Sequence, residues 1–246
     1  MAFDAHGADD GVRLHGAAKL AFMSDMFDRL VPTYDVVNLL ISLGQTTVWR
    51  LLALGWQPRT FAPGVRVLDV GCGTGWVSWF LSKRYTGLQV TGLDCSRAML
   101  AEAKRRLPQH VFTYGDVCKL PYPSGAFQVV TTVFTLRNFP DLVPALHEMT
   151  RVCAPGGTLL ILDAFPPRAP LMRALVAFWM NNAVPLLARL FTRDAKAYRY
   201  LAASIQQTVD VDTVAGILRA AGCQVEVTRY SFGAAARVFA QKKRTE

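Results

Sequence analysis

The chain has 246 residues, with 27 Lys and Arg against 18 Asp and Glu, for a formal net charge of +9. That length suits one α/β domain with a modest insertion, and the basic balance favours an anionic partner, nucleic acid or a phospholipid surface, without choosing between them. Five cysteines that never form Cys-x-x-Cys (Cys72, Cys95, Cys118, Cys153, Cys223) indicate neither a disulfide framework nor a zinc site, and four scattered histidines (His6, His15, His110, His147) lack ligand spacing, so no metal is expected.

The first twenty residues carry Asp4, Asp9 and Asp10 and no continuous apolar run, which argues against a secretory signal or an acid-poor transit peptide. From Ala17 to Leu54, apolar residues recur at three or four (Phe22, Met26, Phe27, Leu30, then Val36, Val37, Leu40, Ile41), predicting a helical cap over residues 1–60 that Pro58, Pro63 and Gly64 end. A core over 61–163 then alternates. Strand Arg66 to Val70 precedes a helix from Gly75, strand Gln89 to Leu93, helix Ser96 to Leu107, strand Val111 to Tyr114, strand Phe127 to Val133, helix Asp141 to Val152 and strand Thr158 to Asp163. Ser96 and Asp141 are the expected N-caps. Residues 164–205 form an apolar helical insertion, whose stretch from Leu171 to Phe191 is interrupted by Arg173, Asn181, Asn182, Pro185 and Arg189. It is too polar to span a bilayer, where about 18 uninterrupted apolar residues are needed, and suits a lid or an interfacial helix pair. A helix capped by Asp210 and two strands, Gln224 to Tyr230 and Ala236 to Ala240, close the chain over 206–246. The expected fold is α/β: a mostly parallel, doubly wound seven-stranded sheet with helices on both faces.

Residues Val67 to Gly75 carry the most information, because an apolar strand runs into a turn with Gly71, Gly73 and Gly75 and with Asp69 at its mouth. Glycine tolerates positive φ and lets a ligand approach bare backbone. The dinucleotide fingerprint needs a third glycine where this chain has Trp76, which weakens a nicotinamide reading. An acid on the strand suits a ligand with a cationic ammonium end, and S-adenosylmethionine has an ammonium and a sulfonium.

In open α/β sheets ligands bind beyond the carboxyl ends of the strands. Asp94 there suits two ribose hydroxyls, and Asp116 suits an adenine amino group with Val117 against the ring. The expected cofactor set is Asp69, Gly71, Cys72, Gly73, Asp94, Cys95, Asp116, Val117, Thr132 and Phe134. After the fourth strand stand Leu136, Arg137 and Asn138, with neither the Asn/Asp-Pro-Pro-aromatic run of amine methylation nor the Pro-Cys of cytosine C5 methylation. An Arg-Asn pair suits a substrate that develops negative oxygen.

With these residues in place, the chain resembles the ubiquinone/menaquinone C-methyltransferase family (UbiE or MenG type) of class I S-adenosylmethionine-dependent methyltransferases. Its N-terminal signature appears as Tyr34, Asp35, Asn38, Ile41, Ser42 and Trp49, with Val37 in place of Met and Thr46 in place of His. Leu136-Arg137-Asn138, Arg151-Val152, Pro155-Gly156-Gly157, Tyr198 to Leu201 and Ser204-Ile205 extend the match. The resemblance implies methyl transfer from S-adenosylmethionine to a ring carbon of a polyprenylated hydroquinone. Arg137 and Asn138 are then the expected oxyanion donors, a water carries the proton away, and Tyr34 orients the water or the ring. It also implies an apolar tail path lined by the cap and the insertion, with Arg173, Arg189 and Arg193 at lipid headgroups. The expected location is the cytoplasm at the inner face of a membrane, or the matrix side in a mitochondrion. The candidate partners are the prenylated quinol, the membrane surface, and a second copy or a quinone-biosynthesis complex, with no nucleic acid. A natural-product methyltransferase is the alternative, and an RNA methyltransferase is favoured by charge alone.

Overall fold

The structure, a computed structural model, describes residues 8–55, 63–184, 186 and 195–244. Pro58 and the end of the insertion that holds Pro185, Arg189, Phe191 and Arg193 lie outside the described residues.

The strands are β1 (Arg66–Val70), β2 (Gln89–Asp94), β3 (Val111–Tyr114), β4 (Phe127–Val133), β5 (Cys153–Ala164), β6 (Cys223–Tyr230) and β7 (Ala235–Lys242). They form one sheet in the order β3-β2-β1-β4-β5-β7-β6, parallel except for β7, which runs antiparallel to both β5 and β6. β1 and β4 are neighbours, so the chain winds one way to β2 and β3 and the other way to β5. The crevice at their carboxyl ends is the topological switch point where α/β sheets place ligands.

Strand alternation divides the core. On β1 Leu68 and Val70 pack with Val130, Leu146, Met149 and Val214, under α7 (Leu142–Val152) and α10 (Val211–Ala220). Val67 faces the other way with Leu160, Val77 and Leu81, under α4 (Gln45–Leu54) and α5 (Trp76–Arg84). Two of the expected caps close their helices: Ser96 accepts from the Met99 amide at 3.1 Å before α6 (Arg97–Arg106), and Asp210 accepts from the Asp212 amide at 3.0 Å. Asp141 does not. Its side chain makes no capping bond to α7 and instead lies 3.4 Å from His15 Nδ1, a contact contributed by the cap that the local sequence does not carry.

Helices α1 (Ala8–Arg13), α2 (Gly16–Leu30) and α3 (Tyr34–Ile41) precede α4, with Leu43 and Gly44 at positive φ in the turn between α3 and α4. The cap is tied to the sheet by side-chain bonds. Asp28 on α2 accepts from the Ser96 hydroxyl at 2.5 Å and the Ala98 amide at 3.0 Å. Asp35 on α3 accepts from Thr74 Oγ1 at 3.2 Å and pairs with Arg106 at 2.8 Å. The insertion contributes α8 (Pro170–Phe178) and, after a π-helical turn Trp179–Ala183, α9 (Ala195–Gln207). Trp179 Nε1 donates to the Ile41 carbonyl at 2.9 Å, so insertion and cap meet above the crevice.

Candidate active site

β1 ends at Val70, and the chain turns through Gly71, Gly73 and Gly75 with φ of +68°, +53° and +84°. A Cβ on Gly71 would lie 2.7–2.8 Å from Thr135, so the turn needs glycine for space as well as for φ. At Gly73 a Cβ would meet nothing within 4 Å, leaving bare backbone against the cleft.

Asp94, the last residue of β2, accepts from the Gly73 amide at 2.8 Å and the Ser96 amide at 2.9 Å. Burial raises its pKa, against the pull of those amides. A carboxylate offers about four lone-pair sites, so acceptor capacity remains beyond these amides. Asp116 accepts from the Cys118 amide at 2.9 Å and so fixes the turn that presents Val117.

A cleft of about 600 Å³ lies over this loop, lined by Gly71, Gly73, Asp94, Cys95 and Val117 on the sheet side, by Tyr34 from the cap and by Asn138 from beyond β4. Seven of the residues expected from the sequence therefore meet at one place. A nucleoside with a charged thioether tail fits this arrangement: bare loop backbone, a carboxylate that could accept from hydroxyls, and apolar walls from Met99 and Leu93 for a ring.

The other expected residues stand around the cleft without forming these walls. Asp69 is turned into the helix layer, on the face it shares with Val67, where the Ser78 hydroxyl donates to it at 2.7 Å. Burial pushes its carboxyl up to about 7. Cys72 packs with Leu100, Ala103 and Phe112, and the Thr132 hydroxyl bonds that of Thr135. Phe134, with φ of +60°, is one of four described non-glycine residues at positive φ. Such conformations cost of order 1–3 kcal/mol and gather at functional sites. Here the turn carries the ring into a second cavity.

That cavity, about 1150 Å³, is walled by Tyr34, Phe134 and Arg137, by α3 and α4, and by Leu175, Trp179 and Leu201 of the insertion. A smaller recess joins Tyr34, Arg137 and Asn138 to Tyr200. Tyr34 thus touches all three spaces. Burial raises its hydroxyl pKa, while Arg50 and Arg137 pull it down.

Arg137 Nη1 bonds Asp163 Oδ1 at 2.5 Å, with both side chains nearly sealed from solvent. Arg137 Nε and Asp163 Oδ2 have no partner among the described residues. Tyr200 Oη donates to Asn138 Oδ1 at 3.2 Å, which directs the Asn138 amide NH₂ away from Tyr200. Of the two departures from the signature, Val37 is a buried packing residue, and Thr46 bonds the Ser42 hydroxyl at 3.0 Å in the wall of the second cavity.

Asp163 and Arg50 were not among the expected site residues. Asp163 lies near the carboxyl end of β5, the position that singled out Asp94, so the same rule applied to the fifth strand finds it. Arg50 sits beside the signature Trp49 but reads in sequence as the polar face of a helix.

Comparison with known proteins gives the family. Residues 16–242 match the model of the ubiE/COQ5 methyltransferase family. A demethylmenaquinone methyltransferase of Chlorobaculum parvum is 37% identical over 201 residues, which are 80% of this chain and 83% of that protein. A ubiquinone/menaquinone biosynthesis C-methyltransferase UbiE of Desulfotalea psychrophila is 35% identical over 200 residues, 80% of each. Among solved structures, phosphoethanolamine N-methyltransferase 2 of Haemonchus contortus with S-adenosyl-L-methionine superposes with a TM-score of 0.66 at 18% identity, over 90% of this chain and 60% of that one, a likeness of fold. The chain therefore belongs to the ubiE/COQ5 methyltransferase family and is an S-adenosylmethionine-dependent methyltransferase.

Proposed function

We propose that this methyltransferase acts in quinone biosynthesis, on a ring carbon of a polyprenylated hydroquinone of the menaquinone or ubiquinone series. The observation that carries the reading is the second cavity. Its lining is mostly apolar, with Tyr34, Asn38, Ser42, Gln45, Thr46, Arg50 and Arg137 as its polar members, and it shares Tyr34 with the cofactor cleft. A quinol ring belongs beside Tyr34 and Arg137, next to the cofactor cleft, and an isoprenoid tail along Leu175, Val176 and Leu201. The names of the Chlorobaculum parvum and Desulfotalea psychrophila relatives support the same substrate class.

Gly71, Gly73, Asp94, Cys95 and Val117 would hold the cofactor, which would supply a sulfonium methyl group, and Asp116 fixes the turn that carries Val117. A ring hydroxyl first loses its proton to water. The ring carbon beside the resulting phenolate forms a bond to the methyl carbon as the methyl–sulfur bond breaks, its electron pair staying on sulfur. Loss of the ring proton restores the aromatic ring, and the phenolate takes a proton back, so one proton is released per methyl transferred. Arg137 and the Asn138 NH₂ donate to the phenolate oxygen. Asp163 fixes Arg137, and Tyr200 fixes Asn138. Tyr34 holds the ring against the cofactor cleft.

The tail enters from a bilayer. Leu43 and Leu175 line the second cavity and are also exposed, and Leu171, Phe178 and Phe232 stand exposed on the same insertion and closing elements. No single helix among the described residues is long and apolar enough to cross a membrane, although α3 and α4 together, bent by 98°, have that composition. This supports a surface lying on lipid. The test is methyl transfer from labelled S-adenosylmethionine to a reduced prenylated naphthoquinone in detergent. Methylation of that quinol is expected, and methylation confined to an unprenylated soluble acceptor overturns the assignment.

A further inference from the structure

Two guanidinium groups, Arg50 and Arg137, line the second cavity. They differ in what surrounds them. Arg137 is bound to Asp163 at 2.5 Å, so its charge is largely compensated where it stands. Arg50 lies with Cζ 4.8 Å from the Trp76 ring centroid and 5.4 Å from that of Phe134. Its Nε is buried without a hydrogen-bond acceptor, and no described carboxylate pairs with it. An aromatic face holds a cation through its quadrupole and carries no net charge, so these rings position Arg50 without neutralising it.

The acids nearest to it are already engaged. Asp35 is held by Arg106 at 2.8 Å and by the Thr74 hydroxyl at 3.2 Å. Asp69 accepts from Ser78 and is pushed up to about 7, so near neutral pH much of it is uncharged. Burial lowers the pKa of Arg50, yet a guanidinium keeps its proton at neutral pH. The fields of Arg50 and Arg137 converge on Tyr34, the residue shared by the cofactor cleft and the second cavity.

We propose that Arg50 is the uncompensated cation among the described residues of the acceptor cavity and makes it select the ionised form of a quinol ring over the neutral form. This rests on the quinol reading above and adds a division of labour. Arg137, tied to Asp163, donates a directed hydrogen bond, while Arg50 supplies the net charge that favours phenolate. A hydroquinone that binds as its anion reaches the cofactor already activated, so no general base is needed among the described residues of the cavity wall.

The test compares two small probes that differ in charge, 2-hydroxy-1,4-naphthoquinone, which is anionic at neutral pH, and its neutral 2-methoxy ether. Binding to the full chain with S-adenosylhomocysteine is followed by quenching of Trp49 and Trp179, both in the cavity wall. The parent is expected to bind the anion at least about tenfold more tightly than the ether. Arg50→Met keeps a flexible side chain against Trp76 and Phe134. It is expected to abolish that preference while holding the ether within about threefold, and Arg50→Lys is expected to fall between. The preference is a ratio taken within one protein, so it does not depend on the folded fraction of a variant. A parent with no preference, an Arg50→Met protein that keeps it, or equal loss of both probes overturns the proposal. Because no turnover is involved, failure of the quinol assignment shows separately, as absence of methyl transfer to the prenylated substrate.

Discussion

Arg137 and Asp163 meet at 2.5 Å, the arginine side chain 8% and the aspartate side chain 0% exposed, joining the end of β5 to the turn after β4. Such a pair fixes geometry more than it adds stability, because desolvation offsets most of the attraction, whereas removing one partner strands the other charge at a cost of about 3–5 kcal/mol. Asp163→Asn should therefore lower the midpoint of urea unfolding, and Arg137→Met with Asp163→Leu should recover much of that loss while remaining inactive. A double variant no more stable than either single one contradicts a coupled pair.

Arg137→Ala should leave S-adenosylmethionine affinity within a few-fold of the parent, since the arginine does not line the cofactor cleft. Turnover should fall roughly 100 to 1000-fold, the scale of losing one oxyanion donor. Single-turnover measurement on a reduced prenylated quinone is the check. Near-parental rates remove Arg137 from the chemistry. Arg137→Lys keeps the charge but loses the fork that reaches Asp163, so little recovery is expected.

Asp94 faces the cofactor cleft while holding the Gly73 and Ser96 amides. Asp94→Ala should weaken S-adenosylmethionine binding by roughly 1–3 kcal/mol, the scale of leaving charged hydrogen-bond partners unmet. Titration calorimetry reads this directly, and unchanged affinity would remove the carboxylate from the ribose site.

Asp69 offers a pH test. Its carboxyl is pushed by burial from 3.8 to about 7, opposed by the Ser78 hydroxyl. The folded state binds the proton more tightly than the unfolded chain, so the group's contribution is full below about pH 4 and is lost as pH rises through about 7. Asp69→Asn imitates the protonated form. Without cofactor it should match the parent in stability near pH 4 and exceed it at pH 8 by on the order of a few kcal/mol, since each pH unit by which the carboxyl is raised is worth about 1.4 kcal/mol. Denaturant midpoints at the two pH values decide. A constant difference across that range means Asp69 does not titrate there.

The exposed Leu43, Leu171, Phe178 and Phe232 should bring the protein onto vesicles with anionic lipid at low salt. Flotation should weaken at 1 M salt, where the Debye length is about 3 Å, if the net charge of +9 contributes. Phe178→Ser with Phe232→Ser should reduce flotation without reducing binding of S-adenosylmethionine. Absence from the floating fraction at low salt sinks the lipid surface.

The strand and helix order, the glycine turn and the Arg137-Asn138 pair were legible in the sequence because each is written over a few consecutive residues. Strands carry period two, helices period three to four, and turns need particular residue types. β4 spans Phe127–Val133 as its sequence indicates, and β1 ends at Val70 as expected. Even the orientation of Asp69 was within reach, since two-residue alternation places it with Val67, away from the face of Val70. What the tertiary structure alone decided is which distant side chains share a space. Asp163 lies 26 positions beyond Arg137 and reaches it because β4 and β5 pair in parallel register, Val133 beside Leu162. Arg50 meets Trp76 and Phe134 because α4 packs over β1 and α5, and two walls of the second cavity are tied together where Trp179 binds the Ile41 carbonyl. Register and crossover geometry set these contacts, and both belong to the whole sheet, not to any short stretch of chain.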